Sequence, residues 1–350
     1  AAKQAILIDF ETGQVLLEKN PDERMATSSM SKVMTMLMVF EAIEDGRLAL
    51  DDNLPISEKA WRKGGSKMFI EVGKEVMVED LIRGVIVQSG NDASIALAEG
   101  LGGSEDNFAI MMNQKAAELG MENSNFRNAS GWPNPDHYST ARDLAIMARH
   151  LISTYSDHYG YYSETEFTFN AIKQPNRNPL LYRDIGADGV KTGYTEAGGY
   201  GLIGSGERDG RRVVMVLNGM ETPEQRAGES ARLLDWALRN FENKTVLRRG
   251  QVLEQVPVVF GTKKQVAMVS DQDLRLSLPR VRGDALSAEI SYDAPLTAPV
   301  AVGDRIGTLT LRIADQAEMI YPLVAAETVA EQGFLQKTFT KIWLALSGRI

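Results

Sequence analysis

Two residues three apart, Ser29 and Lys32, sit in the stretch "ATSSMSKVMTMLMVFEAIEDG" (residues 26–46) and form the pairing with the most chemical potential in the chain. On a helix that spacing places both side chains on one face, within reach of each other. A serine hydroxyl is a poor nucleophile until a neighbouring base takes its proton. A lysine becomes such a base when burial and a second cation lower its pKa. Serine is also a favoured helix N-cap, so Ser28 or Ser31 can cap the helix while Ser29 reacts. The pair by itself does not choose between these roles.

Two further short motifs weigh on that choice. "VIVQSGNDASIAL" places Ser89-Gly90-Asn91 at a helix start, and "ADGVKTGYTEAGGYG" places Lys191-Thr192-Gly193 on a strand-like segment. Ser-x-x-Lys, Ser-Asp-Asn and Lys-Thr-Gly together mark penicillin-binding proteins and class A β-lactamases. Here all three occur in order, with Gly in the middle of the second. Each is weak alone; the ordered set is specific.

The elements that must position these groups read as follows. "AILIDFETGQVLLEKN" is a hairpin turning at Glu11-Thr12-Gly13. The segment Met30 to Asp45 is apolar on nearly every side, the pattern of a helix buried all round. Helical stretches follow at about 78–88, 91–101, 104–119 and 140–153. "DGVKTGY", "GYGLIGSG" and "RRVVMVLNG" form a strand meander with Asp209-Gly210 as a tight turn. Thr222-Pro223 then opens a helix running to about Phe241. Beyond it, short alternating runs broken by Gly, Pro and Asp predict a small β-sandwich or barrel, with a domain boundary near 243.

Composition narrows the function further. The 350 residues, 43% of them hydrophobic and 24% charged, suffice for two globular units. A net charge of -9 without a Lys/Arg block argues against nucleic-acid binding. The absence of cysteine excludes disulfides and thiolate chemistry, and suits an oxidising compartment. No run approaches the roughly 20 apolar residues of a membrane-spanning helix. No signal peptide is visible before the first strand. His137, His150 and His158 show no metal-ligand spacing, so neither a metal nor a cofactor is expected. The Met-rich face of residues 30–38 is expected to be core.

The chain resembles the low-molecular-mass penicillin-binding proteins that act as serine D-alanyl-D-alanine carboxypeptidases, the penicillin-binding protein 5 type. The likeness rests on the three motifs and on "ILIDFETGQVL", "HYSTARDLAIMA", "EFTFN", "NRNPLLYRD" and "DGVKTGYT". It extends over the C-terminal β-region. It implies an α+β penicillin-binding-protein and serine β-lactamase-like transpeptidase fold, an antiparallel sheet flanked by helices, followed by a small all-β domain. The expected divisions are a catalytic domain (1–242), a β-sandwich (243–332) and a terminal amphipathic helix (333–350).

By the same resemblance Ser29 attacks the carbonyl between two D-alanines, Lys32 takes its proton, and Lys191 keeps Lys32 partly neutral. Ser89 relays a proton to the leaving amine, and Asn91 holds Lys32 and a substrate amide. The backbone N–H groups of Ser29 and Tyr194 form an oxyanion hole. Tyr194 stands where family members often have His, which bears on substrate preference rather than chemistry. Thr192, Gly193, Thr195, Arg226 and Arg177 are the expected substrate contacts, the arginines and threonines suiting a terminal carboxylate. The loop before Arg226 looks one residue longer than in the family. Glu166-x-x-x-Asn170 mimics the deacylating glutamate of class A β-lactamases, but Phe167 and Phe169 alternate as in a strand, so Glu166 is expected to be structural.

The implied partners are peptidoglycan stem peptides ending in D-Ala-D-Ala and β-lactams as covalent inhibitors. The closing "GFLQKTFTKIWLALSGRI" puts Leu335, Phe339, Ile342, Trp343 and Leu346 on one face, opposite Lys337 and Lys341. It suits a helix lying in a membrane interface. The expected location is the periplasm, on the outer face of the inner membrane. Rival readings are a β-lactamase, an endopeptidase on cross-links, and a non-catalytic peptidoglycan-binding module.

Overall fold

Every residue of the first strand, β1 (Gln4–Asp9), is buried, which requires cover on both faces of its sheet. The computed structural model describes residues 1–281, 286–313 and 318–346, with side chains of the last helix through Lys341. The chain divides into two compact units, Ala1–Asn240 and the remainder from Phe241.

In the first unit, β1 pairs with β2 (Val15–Lys19), and the meander supplies β3 (Ala187–Thr195), β4 (Gly199–Arg208) and β5 (Arg211–Met220). The sheet order is β2-β1-β5-β4-β3, antiparallel throughout. Asp209 (φ 54°) and Gly210 (φ 74°) both turn left-handed between β4 and β5, as a type I′ hairpin demands. The two cover layers come from helices. The helix α3 (Ala141–Thr154) packs on β1 and β5, and α4 (Pro223–Asn240) packs on β4 and β5. The Thr222 hydroxyl accepts the Gln225 N–H at 3.1 Å and caps α4.

The helix α1 (Lys32–Glu44) is buried without a break from Lys32 to Phe40. Met30, Met34, Met36 and Met38 are core, as their pattern predicts. It meets α2 (Asn91–Gly102), so the nucleophile motif and the Ser-Gly-Asn motif open two adjoining helices. Lys191 lies mid-strand in the edge strand β3. The sheet edge and two helix starts thus supply the three motifs.

In the second unit, Phe241–Leu247 pairs with Leu274–Pro279. A six-stranded sheet runs Leu286–Ser291, Arg305–Ile313, Met319–Ala325, Gln265–Val269, Val252–Val259 and Leu296–Thr297 in spatial order. Val256, Val266, Met268, Leu276, Leu309 and Leu323 fill its core. The final helix α5 (Phe334–Leu346) exposes Phe334, Leu335 and Phe339. Lys337 forms an ion pair with Glu331 instead of standing free. The side chains of Ile342, Trp343 and Leu346 lie outside the described residues.

Candidate active site

Ser28–Ser31 form a single 3₁₀ turn that leads directly into α1. In that geometry residues three apart eclipse, and Lys32 Nζ stands 2.9 Å from Ser29 Oγ. The serines do not cap the helix. Thr27 and Ser31 occupy the N-cap positions of the turn and of α1, and neither makes a side-chain cap hydrogen bond. Ser28 has φ 46°, and its buried hydroxyl has no partner among the described residues. The cap expectation fails because the Ser31 hydroxyl is engaged elsewhere.

That engagement runs through His137. Its Nδ1 accepts the Arg127 N–H at 3.1 Å, so Nε2 carries the proton and donates to Ser31 Oγ at 2.7 Å. The Ser31 and Thr27 hydroxyls share a further hydrogen bond at 2.6 Å. Burial, aided by the charge of Lys32, lowers the His137 pKa to about 4, so the ring is neutral at pH 7. His137 thus pins the nucleophile turn from behind. Two glycines let the turn approach its neighbours. A Cβ on Gly131 (φ 74°) would lie 1.7 Å from the Ser28 carbonyl oxygen, and one on Gly193 would lie 2.3 Å from Ser28 Oγ.

Lys32 is fully buried. Besides Ser29 Oγ it donates to Asn91 Oδ1 and to the Ser130 carbonyl, each at 2.7 Å. No carboxylate pairs with it among the described residues. Burial is the main cause that brings its pKa down to about 7, with the charges of Arg177 and Lys63 adding and Asp92 opposing. A large share of Lys32 is therefore neutral near pH 7 and able to accept the Ser29 proton. Lys191 donates to Ser89 Oγ at 2.9 Å and to the Thr192 carbonyl at 3.1 Å. Burial first, then the charges of Lys32, Arg177 and Arg226, holds its pKa well below the usual lysine range. The charge of Lys32 thus disfavours that of Lys191, whereas the cations that act on Lys32 are Arg177 and Lys63 and not the Lys191 that the resemblance implies.

Asp92 fixes the opposite wall. Its buried carboxylate accepts N–H groups from Met68, Phe69, Ile70 and its own neighbour Ala93 at 2.9–3.3 Å. This clasp ties the 66–70 loop to the start of α2 and thereby sets Asn91. Ser89, with φ 58°, is turned toward Lys191. Asn91 also donates to the Gly64 carbonyl at 2.9 Å.

Of these groups Ser29 and Asn91 line a cleft of about 1020 Å³, together with Ser130, Trp132, Tyr194 and Thr195, whereas Lys32, Ser89 and Lys191 are not among its lining residues. Tyr194 is half exposed, and its ring lies 4.2 Å from that of Tyr200. The Thr195 hydroxyl accepts the Gly198 N–H at 2.9 Å, and Thr192 is buried. Arg226 Cζ lies 5.4 Å over the Tyr200 ring, Nη1 reaches the Gly193 carbonyl at 3.5 Å, and its buried Nε has no partner among the described residues. Arg177 is exposed and donates to the Ser66 hydroxyl. Glu166 is outside this group: it lies on the strand Glu166–Phe169, exposed and paired with Lys173 at 2.7 Å.

The sequence reading missed Ser130, Asp92, His137 and Trp132. Ser130 acts through its carbonyl, which leaves no side-chain signature. Asp92 was visible as the residue after Ser-Gly-Asn, in the first turn of a helix, where a carboxylate is favoured.

Comparison with known proteins identifies the family of both units. Residues 1–222 match the family described as D-alanyl-D-alanine carboxypeptidase, and residues 241–331 match the penicillin-binding protein 5 C-terminal domain. The chain is 37% identical to the D-alanyl-D-alanine carboxypeptidase DacC of Escherichia coli, over 98% of this chain and 86% of that one. The solved structure of penicillin binding protein 5 from Haemophilus influenzae matches with TM-score 0.82 and 37% identity, covering 94% and 98% of the two chains. The carboxypeptidase DacD from Francisella tularensis matches with TM-score 0.84 and 31% identity, covering 95% and 94%. With the helix-flanked antiparallel sheet and the all-β unit in place, the chain belongs to the D-alanyl-D-alanine carboxypeptidase family, of the penicillin-binding protein 5 type.

Proposed function

We propose that this protein is a serine D-Ala-D-Ala carboxypeptidase that removes the terminal D-alanine from peptidoglycan stem pentapeptides. The observation that carries this is the 2.9 Å contact between Ser29 Oγ and a buried Lys32 that has no carboxylate partner among the described residues. Neutral Lys32 takes the Ser29 proton as Oγ adds to the carbonyl between the two D-alanines. The backbone N–H groups of Ser29 and Tyr194 hold the oxyanion, a contribution worth roughly 10²–10³-fold per donor. Ser89, held by Lys191, passes a proton to the departing amine, and the C–N bond breaks to leave an ester on Ser29. Water then hydrolyses the ester. Arg226, with its unpartnered Nε, and the hydroxyls of Thr192 and Thr195 take the terminal carboxylate; Arg177 adds positive charge at the same place. A β-lactam acylates Ser29 by the same first step.

The catalytic domain is assigned to 1–242, the β-sandwich to 243–332 and a membrane-surface helix to 333–350, at the outer face of the inner membrane in the periplasm. No helix among the described residues is long and apolar enough to cross a membrane. The exposed Phe334, Leu335 and Phe339 support interfacial seating. Because Glu331 already engages Lys337, Lys341 carries most of the electrostatic attraction. Lys341→Glu should weaken binding to anionic vesicles, and unchanged binding would remove that electrostatic component.

The decisive experiment measures D-alanine release from a short acyl-D-Ala-D-Ala peptide, with Ser29→Ala alongside. Release by the parent and none by the variant is expected. No release from a folded parent sinks the carboxypeptidase assignment.

A further inference from the structure

We propose that Trp132 forms a subsite for the side chain of the residue preceding the D-Ala-D-Ala pair, and that Lys63 behind it biases this subsite toward neutral or anionic chain ends. The proposal rests on the carboxypeptidase reading and adds a substrate preference to it.

Trp132 lines the cleft beside Ser29 and Asn91 and is 41% exposed. An indole left that open in a cleft wall is available to a ligand, provided it is held still. It is held on several sides. Its backbone N–H donates to Asn128 Oδ1 at 2.9 Å, and its backbone carbonyl accepts from Asn128 Nδ2 at 3.0 Å, which fixes the main chain that carries the ring. The glycine pair before Ser66 closes against the ring edge. A Cβ on Gly65 (φ 76°) would stand 3.1 Å from Trp132 Cζ3 and 2.8 Å from Asn91 Nδ2. The ring edge and the Asn91 amide nitrogen are thus close neighbours in the lining of the cleft, with no room between them even for a methyl group. The terminal carboxylate is assigned to Arg226 and the threonines on the leaving side, so the substrate amide assigned to Asn91 is taken as the one on the acyl side of the scissile bond. The residue attached there passes the indole.

Lys63 Nζ lies 4.1 Å from the Trp132 ring centroid. This is a cation–π geometry, and Lys63 is not itself among the residues that line the cleft. Lys63 makes no ion pair or side-chain hydrogen bond among the described residues. Glu105, whose charge it senses, is paired with Lys59 at 2.9 Å. The positive charge behind the platform is therefore uncompensated at short range. It opposes a cationic chain end and favours an anionic one. An apolar pocket contact of this kind discriminates between long and absent side chains by about ten-fold or more.

The test compares kcat/KM for three peptides, acetyl-Gly-D-Ala-D-Ala, Nα,Nε-diacetyl-Lys-D-Ala-D-Ala and Nα-acetyl-Lys-D-Ala-D-Ala, in the full chain. The parent should prefer the diacetyl-lysyl peptide to both others. Trp132→Ala should lower the diacetyl-lysyl to glycyl ratio about ten-fold. Lys63→Met should raise the lysyl to diacetyl-lysyl ratio. An unchanged first ratio overturns the subsite, because a purely structural loss lowers both rates together. An unchanged second ratio overturns the charge bias. If the parent is acylated by a β-lactam yet hydrolyses none of the peptides, the carboxypeptidase reading fails separately. The same ratios are then read from acylation rates with β-lactams bearing long and short side chains, and flat ratios there overturn the subsite on its own terms.

Discussion

Lys32 and Arg211 are both buried cations of the first unit, and they are treated in opposite ways. Arg211 Nε meets the fully buried Asp9 at 2.9 Å, and its Nη1 donates to the Ala237 carbonyl at 2.7 Å. Next to it, Arg212 meets Asp188 at 2.6 Å and Glu207 at 2.8 Å. Among the described residues Lys32 meets neutral oxygens alone, those of Ser29, Asn91 and Ser130. A paired cation keeps its proton and fixes structure. A cation denied a carboxylate loses its proton readily and becomes a base. The difference shows that the cleft is built for reactivity at a cost in stability, while the far end of the sheet is built to hold.

Substitutions can break this contrast from either side. The largest effect is expected at Lys32→Met, which should lower Ser29 acylation by at least about 10³-fold while raising stability by roughly 1 kcal/mol or more, as removal of an uncompensated buried charge does. Stopped-flow acylation and thermal unfolding of the same sample read both quantities; a fall in both would place Lys32 with Arg211. The mirror experiment is Asp9→Asn, which strands Arg211. It should cost about 3–5 kcal/mol and leave the acylation rate of the folded fraction unaltered, as urea titration with active-site counting will show.

A pH series sharpens the comparison. Acylation should rise as Lys32 loses its proton and level off above about 7. Between that value and the usual lysine range the unfolded chain binds more protons at this residue than the folded one. Its contribution to stability therefore increases with pH across that window, and Lys32→Met should flatten the rise. A smaller effect is expected at His137→Phe. Loss of the Nε2 donor behind Ser31 should cost about 1–3 kcal/mol and slow acylation at saturating β-lactam more than it weakens initial binding, with His137→Gln recovering part of the rate. At the bottom of the scale, Lys173→Ala removes an exposed pair with Glu166 and should change stability by less than about 1 kcal/mol with deacylation untouched. Slowed deacylation there would revive the lactamase-like role for Glu166.

The parts of the site legible in the sequence are those whose chemistry lies in side chains at short spacing. Ser29 with Lys32, Ser89 with Asn91, and Lys191 ahead of a glycine could each be read locally, and so could the helices and meander that carry them. What stayed hidden depends on distance along the chain. The Ser130 carbonyl reaches Lys32 across 98 positions, and His137 reaches Ser31 across 106. The serines at the helix mouth suggested capping because that rule is local; the buried histidine that overrides it is not. Trp132 carried no signal at all, since one indole among loop residues fits many roles.

The Asp92 clasp has a consequence for motion. The amides of Met68, Phe69 and Ile70 are bonded to a carboxylate at the mouth of α2, not to a neighbouring strand. They can exchange with solvent deuterium only when that helix mouth lets go, and Asn91 lets go with it. Exchange at these loop amides therefore keeps time with disassembly of the catalytic wall. A bound acyl group that braces Asn91 slows all of them at once, reporting occupancy of the cleft from a loop that need not touch the ligand.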